Sequence, residues 1–415
     1  MIDFTRFELK NGLRVLVHED DSTPVAVVNV LYNVGAKDEE ESKTGFAHLF
    51  EHLMFGGSIH IPDYDEPLQL AGGENNAYTT NDYTNYYCQI PAENLETAFW
   101  LESDRMLSLA FSQKSLQVQK KVVIEEFKEH YINKPYGDVW QILREMAYTV
   151  HPYKWQTIGK ELSHIEKAKM SDVVAFFKKF YTPSNAILVV AGNVKTEEVK
   201  TLAEKWFEPI ESGEKYERHL PEEPVQQEHK EKEVYADVPV DAIFKVWHIS
   251  DRLNRGYYIA DLITEMLGGS VSSRLHESLV KNKRLFSSVA CYHLGTVDQG
   301  LLTVEARLLR NTTMEEAEKA IDEEIENFIQ YFEEKELNKV KNKTESLIHF
   351  EDMSIMNRAN SLAFYELLGD ANLINKELDN YFSISHEEVK EYARQIFSHN
   401  NSCTLKYYSS QLHKK

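Results

Sequence analysis

The chain is expected to fold as an α+β protein of two homologous α/β-sandwich-like domains, each an antiparallel-rich sheet packed by helices. Three observations lead there. An amphipathic helix, a polar turn and an apolar strand follow one another at 171–181, Pro183-Ser184-Asn185 and 186–191, and the same order returns at 385–397, Asn400-Asn401-Ser402 and 403–408. Between the two copies, residues 212–233 are rich in Glu, Lys and Gln, carry Pro221 and Pro224 and contain little that is apolar, which is the composition of a solvated linker. On both sides of it helical and strand periodicities are interspersed, as packed layers of both kinds require. Residues 1–211 and 234–415 are therefore the two expected domains, and a chain of 415 residues is long enough to bury a core in each.

Taken in order, Asn11-Gly12 marks a tight turn, residues 13–18 alternate like a half-buried strand, and residues 25–34 form a second, Val-rich one. The acidic loop 38–41 leads into an apolar helix that the Gly56-Gly57 pair ends. After Gly72-Gly73, residues 74–90 read as a turn and a strand, rich in Tyr and Thr. Residues 95–109 carry apolar groups at helical spacing, and 116–144 are mostly helical with an interruption at Pro135-Tyr136-Gly137. A further helix starts at Thr196 and runs to about Phe207. Beyond the linker, 234–248 are extended and apolar and 257–267 are helical. Thr313 with Glu316 fits the capping box of a long helix.

Composition narrows the function classes. A net charge of −21 favours solubility and argues against nucleic acid and anionic membrane as partners. Cys88, Cys291 and Cys403 are odd in number and widely spaced, so neither a disulfide framework nor a cysteine-rich zinc site is implied. The opening residues lack the basic start and apolar stretch of a signal peptide, and no apolar run approaches the roughly 20 residues of a membrane span. A cytoplasmic location is the expectation.

The chemistry concentrates in Gly45-Phe46-Ala47-His48-Leu49-Phe50-Glu51-His52-Leu53-Met54-Phe55-Gly56. On a helix of about 3.6 residues per turn, His48 and His52 stand one above the other and Glu51 projects beside them. Two imidazoles suit a zinc ion, and the carboxylate is placed to take a proton from a water on it. The rest of the helix is apolar nearly all round, so it is expected to be buried, where three ionisable side chains are costly unless paired or metal-bound.

This His-x-x-Glu-His spacing, a Glu-Glu pair some seventy residues on, and the duplicated α+β pattern resemble the pitrilysin family of inverted-motif zinc peptidases. The length is similar to its short two-domain members, such as the subunits of the mitochondrial processing peptidase. The resemblance covers essentially the whole chain and implies a Zn²⁺-dependent endopeptidase that hydrolyses peptides or unfolded polypeptides enclosed between two bowl-like halves. It implies Glu51 as the general base and a glutamate as third metal ligand after His48 and His52. That glutamate is Glu126, 74 residues after His52, with Glu125 and Glu129 as rivals. Gln119 stands where the family commonly carries a Glu that supports the ligands, which leaves a hydrogen-bonding group there without a charge. The resemblance further implies that substrate adds as a strand along an edge at Asn76 and Ala77. It also implies that Arg274 holds substrate together with a Tyr thirteen residues later. The residue there is Ser287, with Phe286 and Tyr292 nearby but out of register. A homodimer, or a heterodimer in which a homologous subunit supplies the Arg-Tyr pair, is the expected assembly. The alternatives are a non-catalytic or merely metal-bearing subunit of a heterodimeric peptidase, or a peptide-binding module with a structural metal.

Overall fold

The alternating runs become strands of two sheets in the computed structural model, which describes residues 1–413. The first sheet contains β1 (Thr5–Glu8), β2 (Arg14–Glu19), β3 (Val25–Tyr32), β4 (Glu74–Thr79), β5 (Thr84–Pro91) and β6 (Ala186–Gly192), in the order β1-β2-β6-β3-β5-β4. The second contains β7 (Lys230–Ala236), β8 (Ala242–His248), β9 (Phe286–His293), β10 (Leu301–Leu308) and β11 (Ser402–Ser409), in the order β7-β11-β8-β10-β9. Leaving β1 aside, the two orders are the same. Each has one parallel pair, β2 with β6 and β7 with β11, and antiparallel pairs elsewhere. The fold is the expected one: mixed α and β, with two mostly antiparallel sheets packed by helices.

In the first unit, the period of two along β3 sorts its side chains. Val27 and Leu31 join Leu16, Ile187 and Val189 against Ile355, Leu362 and Ala363 of the helix Ile355–Leu367. Tyr32 faces the opposite layer, where Tyr86, Tyr181 and Phe50 form a ring cluster. Asn29, on the same face as Val27, donates through Nδ2 to Asn360 of that helix at 2.6 Å, so its buried donor has a partner there. In the second unit, Ile243 and Trp247 face a large helical core, while Phe244 and Val246 face Leu143 and Ala147 of the helix Val139–Ala147.

The compact units are not contiguous runs of sequence. One comprises Met1–Glu129, Trp155–Leu220 and His349–Lys376, and the other His130–Lys154, Pro221–Ile348 and Glu377–Lys415. Each half of the chain thus lends one helix to the other unit, and the expected limits at 211 and 234 do not describe this exchange. The change of unit at Leu220/Pro221 falls inside the charged segment 212–233. That segment is exposed along most of its length, as expected, and is tethered at a few points. Tyr216 and Arg218 both bond the carboxylate of Asp38, and Glu223 accepts from the backbone N–H groups of Thr149 and His151.

Three element boundaries also differ. The extended run 234–248 is two strands that are not neighbours, because β11 lies between them. The run 74–90 is the hairpin β4–β5. The helix expected over 116–144 is the helix Gln113–Phe127, a wide turn at Lys128–Ile132, and the helix Val139–Ala147. Tyr136, at φ 60°, takes the left-handed conformation that reverses the chain. Among the described residues no helix is long and apolar enough to cross a membrane.

Candidate metal centre and active site

The motif residues lie on the helix Phe46–Met54, which buries Phe46, Ala47, Leu49, Phe50, Leu53 and Met54. Phe50 stacks on Phe176 at 4.9 Å and on Tyr181 at 5.0 Å. Each fully buried large apolar side chain contributes about 1.5–3 kcal/mol to holding the helix in place. Its start is fixed by two devices. Gly45 adopts φ 87°, and a Cβ there would stand 2.7 Å from the carbonyl oxygen of Ile158. Glu39 accepts from the backbone N–H of Gly45 through Oε2 and from that of Ala47 through Oε1, both at 2.8 Å, so it satisfies donors that the helix itself cannot. Burial pushes the Glu39 carboxyl up and those N–H groups pull it down, burial being the larger effect. Sequence reasoning placed Glu39 in an acidic loop and missed its role. A capping glutamate six residues from the first N–H it serves has no fixed spacing to betray it.

His48 and His52 present their Nε2 atoms 3.3 Å apart, with the rings nearly perpendicular. Glu126, from the helix Gln113–Phe127, brings Oε2 to 3.7 Å from His48 Nε2 and 3.5 Å from His52 Nε2. Ligand atoms about 2.0–2.2 Å from a zinc ion at tetrahedral angles stand roughly 3.3–3.6 Å apart, so the triangle matches what zinc requires. Among the described residues this is the one group of three or more His, Cys, Asp or Glu side chains that could hold a metal ion. The three side chains are 18%, 21% and 33% exposed, so a fourth position can be reached from solvent. Burial, with the neighbouring His52, pushes the His48 imidazole down to about 4, so it is neutral near pH 7, the form that ligates metal. The rivals of Glu126 are elsewhere. Glu125 is exposed and paired with Lys128, and Glu129 is exposed in the wide turn that follows. Gln119 is half-buried on the same helix and makes no hydrogen bond to the three side chains.

Glu51 lies beside this triangle. The hydroxyl of Thr79 donates to Glu51 Oε2 at 2.6 Å. Burial pushes the Glu51 carboxyl up, and the Thr79 hydrogen bond opposes it. Thr79 ends β4, the outermost strand of its sheet, and β4 packs beside the motif helix. Asn76 and Ala77 lie on that edge. The Ala77 N–H goes to the Asn76 side-chain oxygen at 2.8 Å, so it is not spent on β5. Two helices of one unit thus bring together His48, Glu51, His52 and Glu126, and the edge strand that meets Glu51 through Thr79 also carries Asn76 and Ala77.

Arg274 belongs to the second unit. Its guanidinium makes a bidentate pair with Glu336, both bonds at 2.8 Å, as a planar fork meeting a carboxylate does. Ser287 lies on β9 and donates to the carbonyl of Arg307 at 3.2 Å. The Tyr292 hydroxyl, on the same strand, is directed to Glu305.

Residues 14–160 match the family described as insulinase (peptidase family M16), and residues 167–344 match the peptidase M16 inactive domain. A zinc protease of Helicobacter pylori, PqqE, is 30% identical over 321 residues, covering 75% of this chain and 72% of the relative. The uncharacterized zinc protease YmxG of Bacillus subtilis is 25% identical, covering 96% of this chain and 97% of its own. Among solved structures, a protease from Helicobacter pylori superposes with a TM-score of 0.92 at 26% identity, covering 98% of this chain and 100% of that one. An M16 inactive domain from Pseudomonas fluorescens superposes at 0.87 with 15% identity, covering 98% of both chains, and shares the fold.

Proposed function

Because this chain belongs to the M16 family of zinc peptidases, we propose that it is a zinc-dependent endopeptidase acting on peptides or unfolded polypeptides, with His48, His52 and Glu126 as metal ligands and Glu51 as general base. The observation that carries the reading is the triangle of His48 Nε2, His52 Nε2 and Glu126 Oε2, with edges of 3.3–3.7 Å. A zinc ion held there supplies Lewis-acid polarisation of the peptide carbonyl and a water that gives up its proton near neutral pH.

The rest is the work of the chain's own groups. Glu51 takes the proton from the attacking water and returns it to the leaving amine as the C–N bond breaks. Burial raises this carboxyl above the ordinary carboxylate range, which makes it a better proton acceptor than an exposed glutamate. The open edge of β4 at Asn76 and Ala77 is suited to an extended peptide held by backbone hydrogen bonds, with little demand on its sequence. The pairing of Arg274 with Glu336, and a serine at 287, favour a second reading of the assembly: a homologous subunit supplies the Arg-Tyr pair.

Glu51→Gln tests the catalytic assignment. The variant is expected to keep its zinc and to lose peptide cleavage by 10²-fold or more, on the order of what removing a general base costs. Cleavage at the wild-type rate would refute the assignment. A non-catalytic subunit predicts that the wild-type chain itself, alone or with its homologue, binds zinc and cleaves nothing.

A further inference from the structure

The general base is braced by the strand that would receive the substrate. Thr79 Oγ1 donates to Glu51 Oε2 at 2.6 Å. Thr79 is the terminal residue of β4, paired with Thr84 of β5, and lies two residues beyond Ala77. The turn that follows is tied down by Thr80, whose hydroxyl donates to the carbonyl of Tyr83 and accepts from the N–H groups of Asp82 and Tyr83. A β-branched side chain on a paired strand has few χ1 choices, so this hydroxyl is preset rather than recruited.

From this geometry we propose that Thr79 is the positioning residue of the general base. It anchors the Glu51 carboxylate through Oε2 and leaves Oε1 as the oxygen that exchanges the proton. The inference rests on the reading of Glu51 as general base. A carboxylate terminates in two equivalent oxygens on a softly hindered torsion. A donor on one of them removes the equivalence. With Oε2 engaged, the water oxygen bonds the carbonyl carbon as its O–H bond breaks and an O–H bond forms at Oε1, and the same proton then passes to the amide nitrogen as the C–N bond breaks. Thr79 keeps its own proton throughout and is not consumed. Because Thr79 and Ala77 share one short strand, a peptide seated along β4 and the orientation of the base are set by the same piece of backbone. The orientation of Glu51 is then a property of the substrate-bearing edge as well as of the metal helix.

The test uses the full chain with bound zinc, in whatever assembly proves active, on one extended peptide substrate. Thr79→Val is nearly isosteric and removes only the hydroxyl, and Thr79→Ser restores it. Thr79→Val is expected to lower kcat by about 10–100-fold, the range in which a misplaced catalytic group costs rate, with KM within about 3-fold of wild type. Zinc content and unfolding midpoint are expected to be unchanged, and Thr79→Ser to recover most of the loss. A strut that merely joins strand to helix would instead lower the midpoint or the zinc content, and serine and valine would be equally impaired. Either of those results, or a valine variant with kcat within 2-fold of wild type, overturns the proposal. Glu51→Gln run in parallel keeps the two claims apart. An inactive Gln variant beside a fully active Val variant sinks the role of Thr79 alone, whereas a fully active Gln variant sinks the base assignment on which it rests.

Discussion

Removing the carboxylate that caps the metal helix should loosen both the fold of the first unit and its grip on zinc. In Glu39→Ala the N–H groups of Gly45 and Ala47 lose acceptors 2.8 Å away in a buried setting. An unsatisfied buried donor costs about 1–3 kcal/mol, so two amount to roughly 2–6 kcal/mol. Water entering the space left by the side chain would bring the value toward the lower end. For a unit of this size about 2–4 °C of midpoint corresponds to each kcal/mol, so the first unit should melt at least about 4 °C lower. His48 is the third residue of the capped helix, so fraying of its first turn detaches one metal ligand. Zinc affinity, measured by chelator competition, should therefore fall alongside the calorimetric midpoint. The comparison is Leu405→Ala, in the core of the second unit, which should destabilise that unit and leave zinc affinity alone. The reasoning is refuted if Glu39→Ala melts within 1 °C of wild type, or if it loses no more zinc affinity than Leu405→Ala.

Further expectations follow from other pairings. Arg218 holds the fully buried Asp38 with two 2.7 Å bonds, so Arg218→Ala should cost up to about 3–5 kcal/mol, less what the Tyr216 hydroxyl still supplies, and should open 212–220 to proteolysis; an unchanged digestion pattern would contradict this. Arg274→Ala breaks a partly exposed pair with Glu336 and should shift stability by only about 1 kcal/mol with no loss of zinc, read by denaturant unfolding and metal analysis. Glu388 is held at about 2, against an ordinary 4.5, by the Arg255 guanidinium and then the Ser385 N–H and hydroxyl. A depressed acid contributes stability above its unfolded pKa and loses it as pH falls through the folded value. The unfolding midpoints of wild type and Glu388→Gln should accordingly differ above about pH 4.5 and converge toward pH 2. Parallel curves across that window would show that Glu388 contributes nothing.

What could be read from sequence was whatever has a fixed spacing. His48, Glu51 and His52 lie within two turns of one helix, and their convergence follows from helical pitch alone. The strands were legible because the period of two survives in residues such as Val25, Val27 and Leu31. Glu126 needed the family resemblance, since nothing local says which of several glutamates on a polar helix turns inward. The exchange of the helices Val139–Ala147 and Ile355–Leu367 between units was out of reach for a similar reason. An apolar face announces that it will be covered, but carries no address for the sheet that covers it. Glu39, Thr79 and Arg218 act across contacts made only after folding, and each belongs to a residue type that is more often merely solvated. The pairing of Arg274 with Glu336 was likewise beyond what spacing can give.

The central claim, that two imidazoles and a carboxylate of this unit hold zinc, is tested most directly by X-ray absorption at the zinc edge of the purified chain, compared with Glu126→Ala. Two nitrogen scatterers and oxygen at about 2.0–2.2 Å are expected in the wild type, with one protein oxygen lost and affinity reduced in the variant. A spectrum with sulfur scatterers, or one that Glu126→Ala leaves unchanged, would contradict the account.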